Sequence, residues 1–147
     1  VSSSAARLIA NSLRIASSDL EAARALLATN NRNAVYFCQQ AAEKVILAVL
    51  TSEGKHGGIR HHLDAMVDLV SEENPIKPLL RSIEALSAYA TTYRYPTSAG
   101  RIPPAPPAHS VKDWVEKVDV TLGRAAAAFG VDLGGNDTPA KHAGPIR

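Results

Sequence analysis

The sequence is short of most residues that announce a chemistry. Cys38 is its single cysteine, which excludes an internal disulfide framework and any metal site built from several thiolates. Aromatic residues make up only 5% of the chain, and acidic and basic side chains nearly cancel, leaving a formal net charge of +2. A nucleic-acid role therefore cannot rest on bulk charge and requires that basic residues be gathered locally. No apolar run approaches the roughly 20 residues needed to span a bilayer. At the start, "VSSSAARLIA" places Arg7 and polar residues where a signal peptide needs an unbroken apolar stretch. The expectation is a soluble, cytoplasmic chain with no membrane association. Neither the Gly-x-Ser-x-Gly nucleophile pattern nor the phosphate-loop spacing occurs, and "GKHGG" lacks the length and the Ser or Thr of the latter.

What is present is helical periodicity. Ile9, Leu13, Ala16, Leu20, Ala23 and Leu27 recur in steps of four and three, the stripe of an amphipathic helix. "TNNRN" breaks it with residues that favour turns and caps. "AVYFCQQAAEKVILAVL" carries two apolar stripes, one through Phe37, Ala41, Val45 and Ala48 and another through Val35, Ala42, Ile46 and Val49. A helix apolar on more than one face is central, packed by several neighbours or by a partner chain. "EGKHGG" stops it. Leu63, Met66, Val67 and Val70 mark a shorter third helix, ended by "NPIKP", and Leu79, Ile83, Leu86, Ala90 and Tyr93 mark a fourth. Ser110 and Asp113 read as a capping-box variant that starts a fifth helix at Ser110, carried to Phe129. The class is all-α, an antiparallel up-and-down bundle of four to five helices. The bundle is expected over residues 5–130. The breaker-rich stretch 131–147 is expected to be a mobile C-terminal tail, dispensable for the fold.

Between helices four and five lies "TYRYPTSAGRIPPAPPAH", a proline-studded insert without periodicity, of a kind that is either functional or a linker. It carries Arg94, Arg101 and His109, with Tyr95 held between Arg94 and Pro96 where the helix must end. If short connections make consecutive helices antiparallel, this insert and the loop carrying Lys55, His56, Arg60, His61 and His62 emerge at one end. That pole would be basic. Within the second helix, Gln40, Glu43 and Lys44 share a face and form a polar seam, either solvated or reaching a second copy or a ligand. His61 and His62 are adjacent and diverge around a helix, so they do not chelate one metal; His62 fits a local hydrogen bond near a helix start. No metal and no cofactor is called for.

The combination of "FCQQAAEKVILAVL", "HHLDAMVDLV" and "YRYP" resembles the HEPN domain family in its Gln-x-x-Glu-Lys helix, His-x-Leu helix start and Arg-Tyr-Pro, in that order. The resemblance covers about residues 5 to 130. It implies a helical bundle, usually a homodimer, often encoded beside a minimal nucleotidyltransferase in toxin-antitoxin-like modules. It also implies binding of a nucleotide or RNA and, in some members, metal-independent ribonuclease action by an Arg followed, after four to six residues, by a His. No arginine here is followed by a histidine at that spacing; Arg101 and His109 are separated by seven residues.

Three readings follow. The first is non-catalytic binding of a nucleotide or RNA, of a nucleotidyltransferase partner, or of both, with Arg94, Tyr95, Arg101, Lys55, Arg60 and His62 as ligand and phosphate contacts. In the second, a metal-independent endoribonuclease, His109 exchanges protons while Arg94 and Arg101 stabilise charge on phosphate. The third is a protein-interaction scaffold in which the insert is only a connector. A homodimer is expected, with part of the second helix's apolar surface meeting the second copy.

Overall fold

The structure, a computed structural model, describes residues 3–56, 62–89 and 92–147. Among these residues it is all-helical: α1 (Ser3–Ala28), α2 (Ala34–Ser52), α3 (Leu63–Leu69), α4 (Lys77–Ile83), a 3-10 continuation (Glu84–Tyr89) and α5 (Ala108–Phe129). α1 and α2 form the principal antiparallel pair, α5 packs on both, and α3 with the 3-10 stretch covers the remaining side of α2. The expected stripe of α1 is buried at Ile9, Leu13, Ala16, Leu20 and Ala23. No described helix is long and apolar enough to cross a membrane.

Three helix ends close in the same way. After α1, the Asn31 amide donates to Leu26 and the Asn30 amide to Leu27, with Asn30 at φ 53. After α2, Lys55 donates to Leu50 and Gly54 to Thr51; after α5, Val131 donates to Ala126 and Gly130 to Ala127. Each is a Schellman closure, whose left-handed residue is best supplied by Gly or Asn. At Gly130 (φ 61) a Cβ would also lie 2.9 Å from the Cβ of Lys141, so two independent reasons demand glycine there.

The second apolar stripe of α2 is fully buried inside the chain, and the first is buried except for half-buried Phe37. Val35, Ala42, Ile46 and Val49 are 0% exposed, as are Cys38, Ala41 and Val45. Within the chain, α1, α3, α5 and the 3-10 stretch pack around the helix, and of its large apolar side chains Phe37 and Leu47 stay half-buried. The helix start expected at Ser110 is corrected. α5 begins at Ala108 after Pro107, and the Ser110 side chain makes no cap hydrogen bond.

The segment read as a mobile tail lies along α1. Arg7, Asn11 and Arg14, one turn apart on a single face of α1, grip it. Arg7 and Asn11 donate to the Asp137 carbonyl and carboxylate at 2.5 and 2.6 Å. Arg14 donates to the Asp132 carbonyl (3.0 Å) and to the Thr138 carbonyl (2.7 Å) and hydroxyl (2.9 Å). The Ala140 amide donates to the Ala6 carbonyl and the His142 amide to that of Phe129, both at 3.0 Å, and Ala140 is buried. Side-chain donors satisfy the strap's backbone, which an apolar-periodicity argument does not register.

Candidate nucleotide or RNA site at the proline loop

The proline-studded insert folds over the amino-terminal end of α2, and Arg32 places it there. From the turn before α2, the Arg32 guanidinium donates through Nε to the Tyr93 carbonyl (3.1 Å) and through Nη2 to the Pro103 carbonyl. One side chain thus fastens both limbs of the loop, and a guanidinium suits this because its donors are fixed in a planar fork. Between the limbs, the Thr97 amide donates to the Arg101 carbonyl and the Gly100 amide to the Thr97 carbonyl, both at 2.8 Å. Gly100, at φ 76, closes that turn.

Aromatic rings floor the loop. Tyr89 and Tyr93 stack with centroids 5.2 Å apart, and Tyr36 meets Phe37 edge to face at 5.4 Å. The Arg94 guanidinium lies 4.0 Å above the Tyr36 ring. The quadrupole of the ring attracts the cation and holds it in place without consuming its N–H donors. Arg32, Asn33, Tyr93, Arg94, Tyr95, Pro96, Ile102 and Pro103 line an open cleft of about 310 Å³. Tyr95, 64% exposed, stands at its mouth. The cleft offers guanidinium donors, an aromatic face and open access, which are the contacts a base and its phosphate require.

The candidate residues are not all brought together. Arg94 and Tyr95 line the cleft; Arg101 and His109 do not. Arg101 is exposed at the far limb, and His109 is exposed in the first turn of α5. Lys55 lies at the opposite end of α2, about 28 Å away for a helix of this length. There its ammonium donates to the Leu69 carbonyl (2.7 Å) and pairs with Glu53 (3.0 Å). The single basic pole is therefore corrected. α3 ends beside the end of α2, where Glu53 accepts from the Ser71 amide and the Asn74 side chain, both at 2.9 Å, so helices two and three do not alternate as full-length antiparallel rods. Burial alone would raise the Glu53 pKa, but the hydrogen bonds from Asn74, Ser71 and Lys55, with the charge of Lys55, hold it below the usual value.

His62 precedes α3 and is exposed. The Ser87 hydroxyl, not its imidazole, accepts the first amide of that helix, from Leu63 at 2.6 Å. Arg60 and His61 lie outside the described residues. The polar seam is split. The Gln40 amide donates to buried Gln39 (2.9 Å), Gln39 donates to Glu43 (3.4 Å), and Lys44 instead pairs with Asp19 of α1 at 2.6 Å. Sequence reasoning missed Arg32 and Tyr36. The available signal was an arginine inside an otherwise asparagine-rich turn, four residues before a tyrosine in the first turn of the next helix.

In comparison with known proteins, a family model described as HEPN domain matches residues 9–120, from α1 into α5 and across the whole proline loop. No curated protein and no solved structure matches the chain.

Proposed function

The chain belongs to the HEPN domain family, and from that premise we propose that it binds a nucleotide or single-stranded RNA, without cleaving it, in the cleft between the proline loop and the start of α2. The observation that carries this reading is the Arg94 guanidinium 4.0 Å over the Tyr36 ring, beside exposed Tyr95. A base stacks on Tyr95 or on the open face of Arg94, while the edges of Arg94 reach the phosphate. Cleavage is the weaker reading, because a general acid or base must come within hydrogen-bond reach of the reacting oxygens and His109 is not part of the cleft wall.

In this proposal the protein acts within a toxin-antitoxin-like module, binding a minimal nucleotidyltransferase partner and pairing with a second copy. Half-exposed Leu8 and Ile15, on one side of α1, offer such partners an apolar contact. The test is a binding titration with nucleoside phosphates and single-stranded RNA. Arg94→Ala should weaken binding by about 1–3 kcal/mol with helix content unchanged. Tyr36→Phe, which keeps the ring under Arg94, should bind as wild type, and affinity should fall with added salt. Equal affinity for wild type and Arg94→Ala would remove the cleft from consideration.

A further inference from the structure

The outer edge of the same loop carries a second surface that the cleft does not use. In "RIPPAPP", Arg101 to Pro107, no hydrogen-bonded helix or strand forms. Proline fixes its own φ and drives the preceding residue towards an extended backbone, so nearly every position here is committed to polyproline II. Pro107 shows it directly, at φ −56 and ψ 144. This helix repeats every three residues, and burial follows that period. Pro103 and Pro106 are half-buried towards the bundle, whereas Arg101, Pro104 and Pro107, also three apart, are exposed. The outward surface has two exposed rows, one of Ile102 and Ala105 and one of an arginine followed by two prolines, the latter along a ridge of about 19 Å. No hydrogen bond or ion pair among the described residues engages the Arg101 guanidinium. Arg32 fastens the ridge from beneath through the Pro103 carbonyl, so little backbone entropy remains to be lost on docking.

We propose that the Arg101–Pro104–Pro107 face is a docking ridge for a protein domain that reads polyproline II through a groove of aromatic rings with an acidic group at one end. The rings take the exposed proline face, and the acidic group pairs with Arg101; the charge at one end alone sets the polarity in which the ridge is read. The surface is distinct from the cleft, since Arg101, Pro104 and Pro107 are absent from the cleft wall.

The test is a titration of isotope-labelled full chain with an SH3-type domain whose groove has three aromatic rings and an acidic arginine subsite. Prolines carry no amide proton, so the readout is the amide signals of Arg101, Ile102, Ala105 and Ala108. Those signals should shift on adding the domain, and both Pro104→Ala and Arg101→Glu should weaken binding by about tenfold or more. Because both side chains are exposed, neither change should disturb the fold, which the unchanged amide spectrum of α2 would verify. No shift in the wild type, or equal binding by both variants, overturns the proposal. So does a single-stranded oligonucleotide moving these four signals when the domain does not, because the ridge would then belong to the nucleic-acid surface.

Discussion

Replacing Arg14 by alanine removes in one step the side chain that fastens the carboxy-terminal strap to α1. Its guanidinium makes three hydrogen bonds to that strap, to the Asp132 carbonyl and to the carbonyl and hydroxyl of Thr138. A hydrogen bond from a charged donor is worth about 1.5–3 kcal/mol when sheltered. These bonds lie at the surface, where water competes for both partners, so about 0.5 kcal/mol each is the appropriate scale. Together they amount to about 1.5 kcal/mol, and at about 2–4 °C per kcal/mol for a domain of this size Tm should fall by about 3–6 °C. Thermal unfolding by circular dichroism measures the global effect. Amide exchange at Ala140 and His142, whose N–H groups donate to Ala6 and Phe129, reports the strap itself. Arg14→Lys should recover little, since one ammonium cannot reproduce the planar fork. A chain ending at Val131 should lose more than Arg14→Ala, because buried Ala140 and the partly buried Leu133, Ala143 and Ile146 leave with it. If that shortened chain melts within about 1 °C of the full one, the strap is not part of the folded unit and the reasoning fails.

Other consequences are sharper but narrower. Ile46→Asp places a carboxylate where the side chain is 0% exposed, so it should abolish folding; recovery of a soluble, fully helical monomer would mean that α2 faces an interface after all. Burial pushes the Cys38 thiol up to about 12, so a thiol reagent at about pH 8 should modify it only as fast as the protein unfolds, and rapid labelling of native protein would contradict its placement. Glu53 is held below its ordinary value of 4.5, so its stabilisation is present above that value and lost as pH falls through the lower folded value. Glu53→Gln should therefore show a flatter acid limb in urea unfolding, and parallel acid limbs for the two proteins would argue against the Glu53 cluster.

The sequence by itself determined the helical class, the course of α1, α2 and α5, and most of the stops between them. These are local facts: a buried face must recur every 3.6 residues whatever buries it, and a left-handed closure needs Gly54, Gly130 or an asparagine such as Asn30. It also marked the proline loop, with Arg94 and Tyr95, as the place to look. It could not say what covers the second stripe of α2, because periodicity reports that a surface is buried and not by which partner. It put the proline loop at the same end as Lys55, since the rule of alternating directions assumes rods of equal length and α3 is a 7-residue helix whose end returns to that of α2. The helix expected through Tyr93 tightens into a 3-10 turn from Glu84, a change of hydrogen-bond register that the apolar spacing does not encode. Only the tertiary structure decided that Arg32 clamps Tyr93 and Pro103, and that Arg14 holds residues 118 and 124 positions away. Such bonds join a side chain to a distant backbone carbonyl, an acceptor that every residue possesses, so they leave no mark in the identity of the partner.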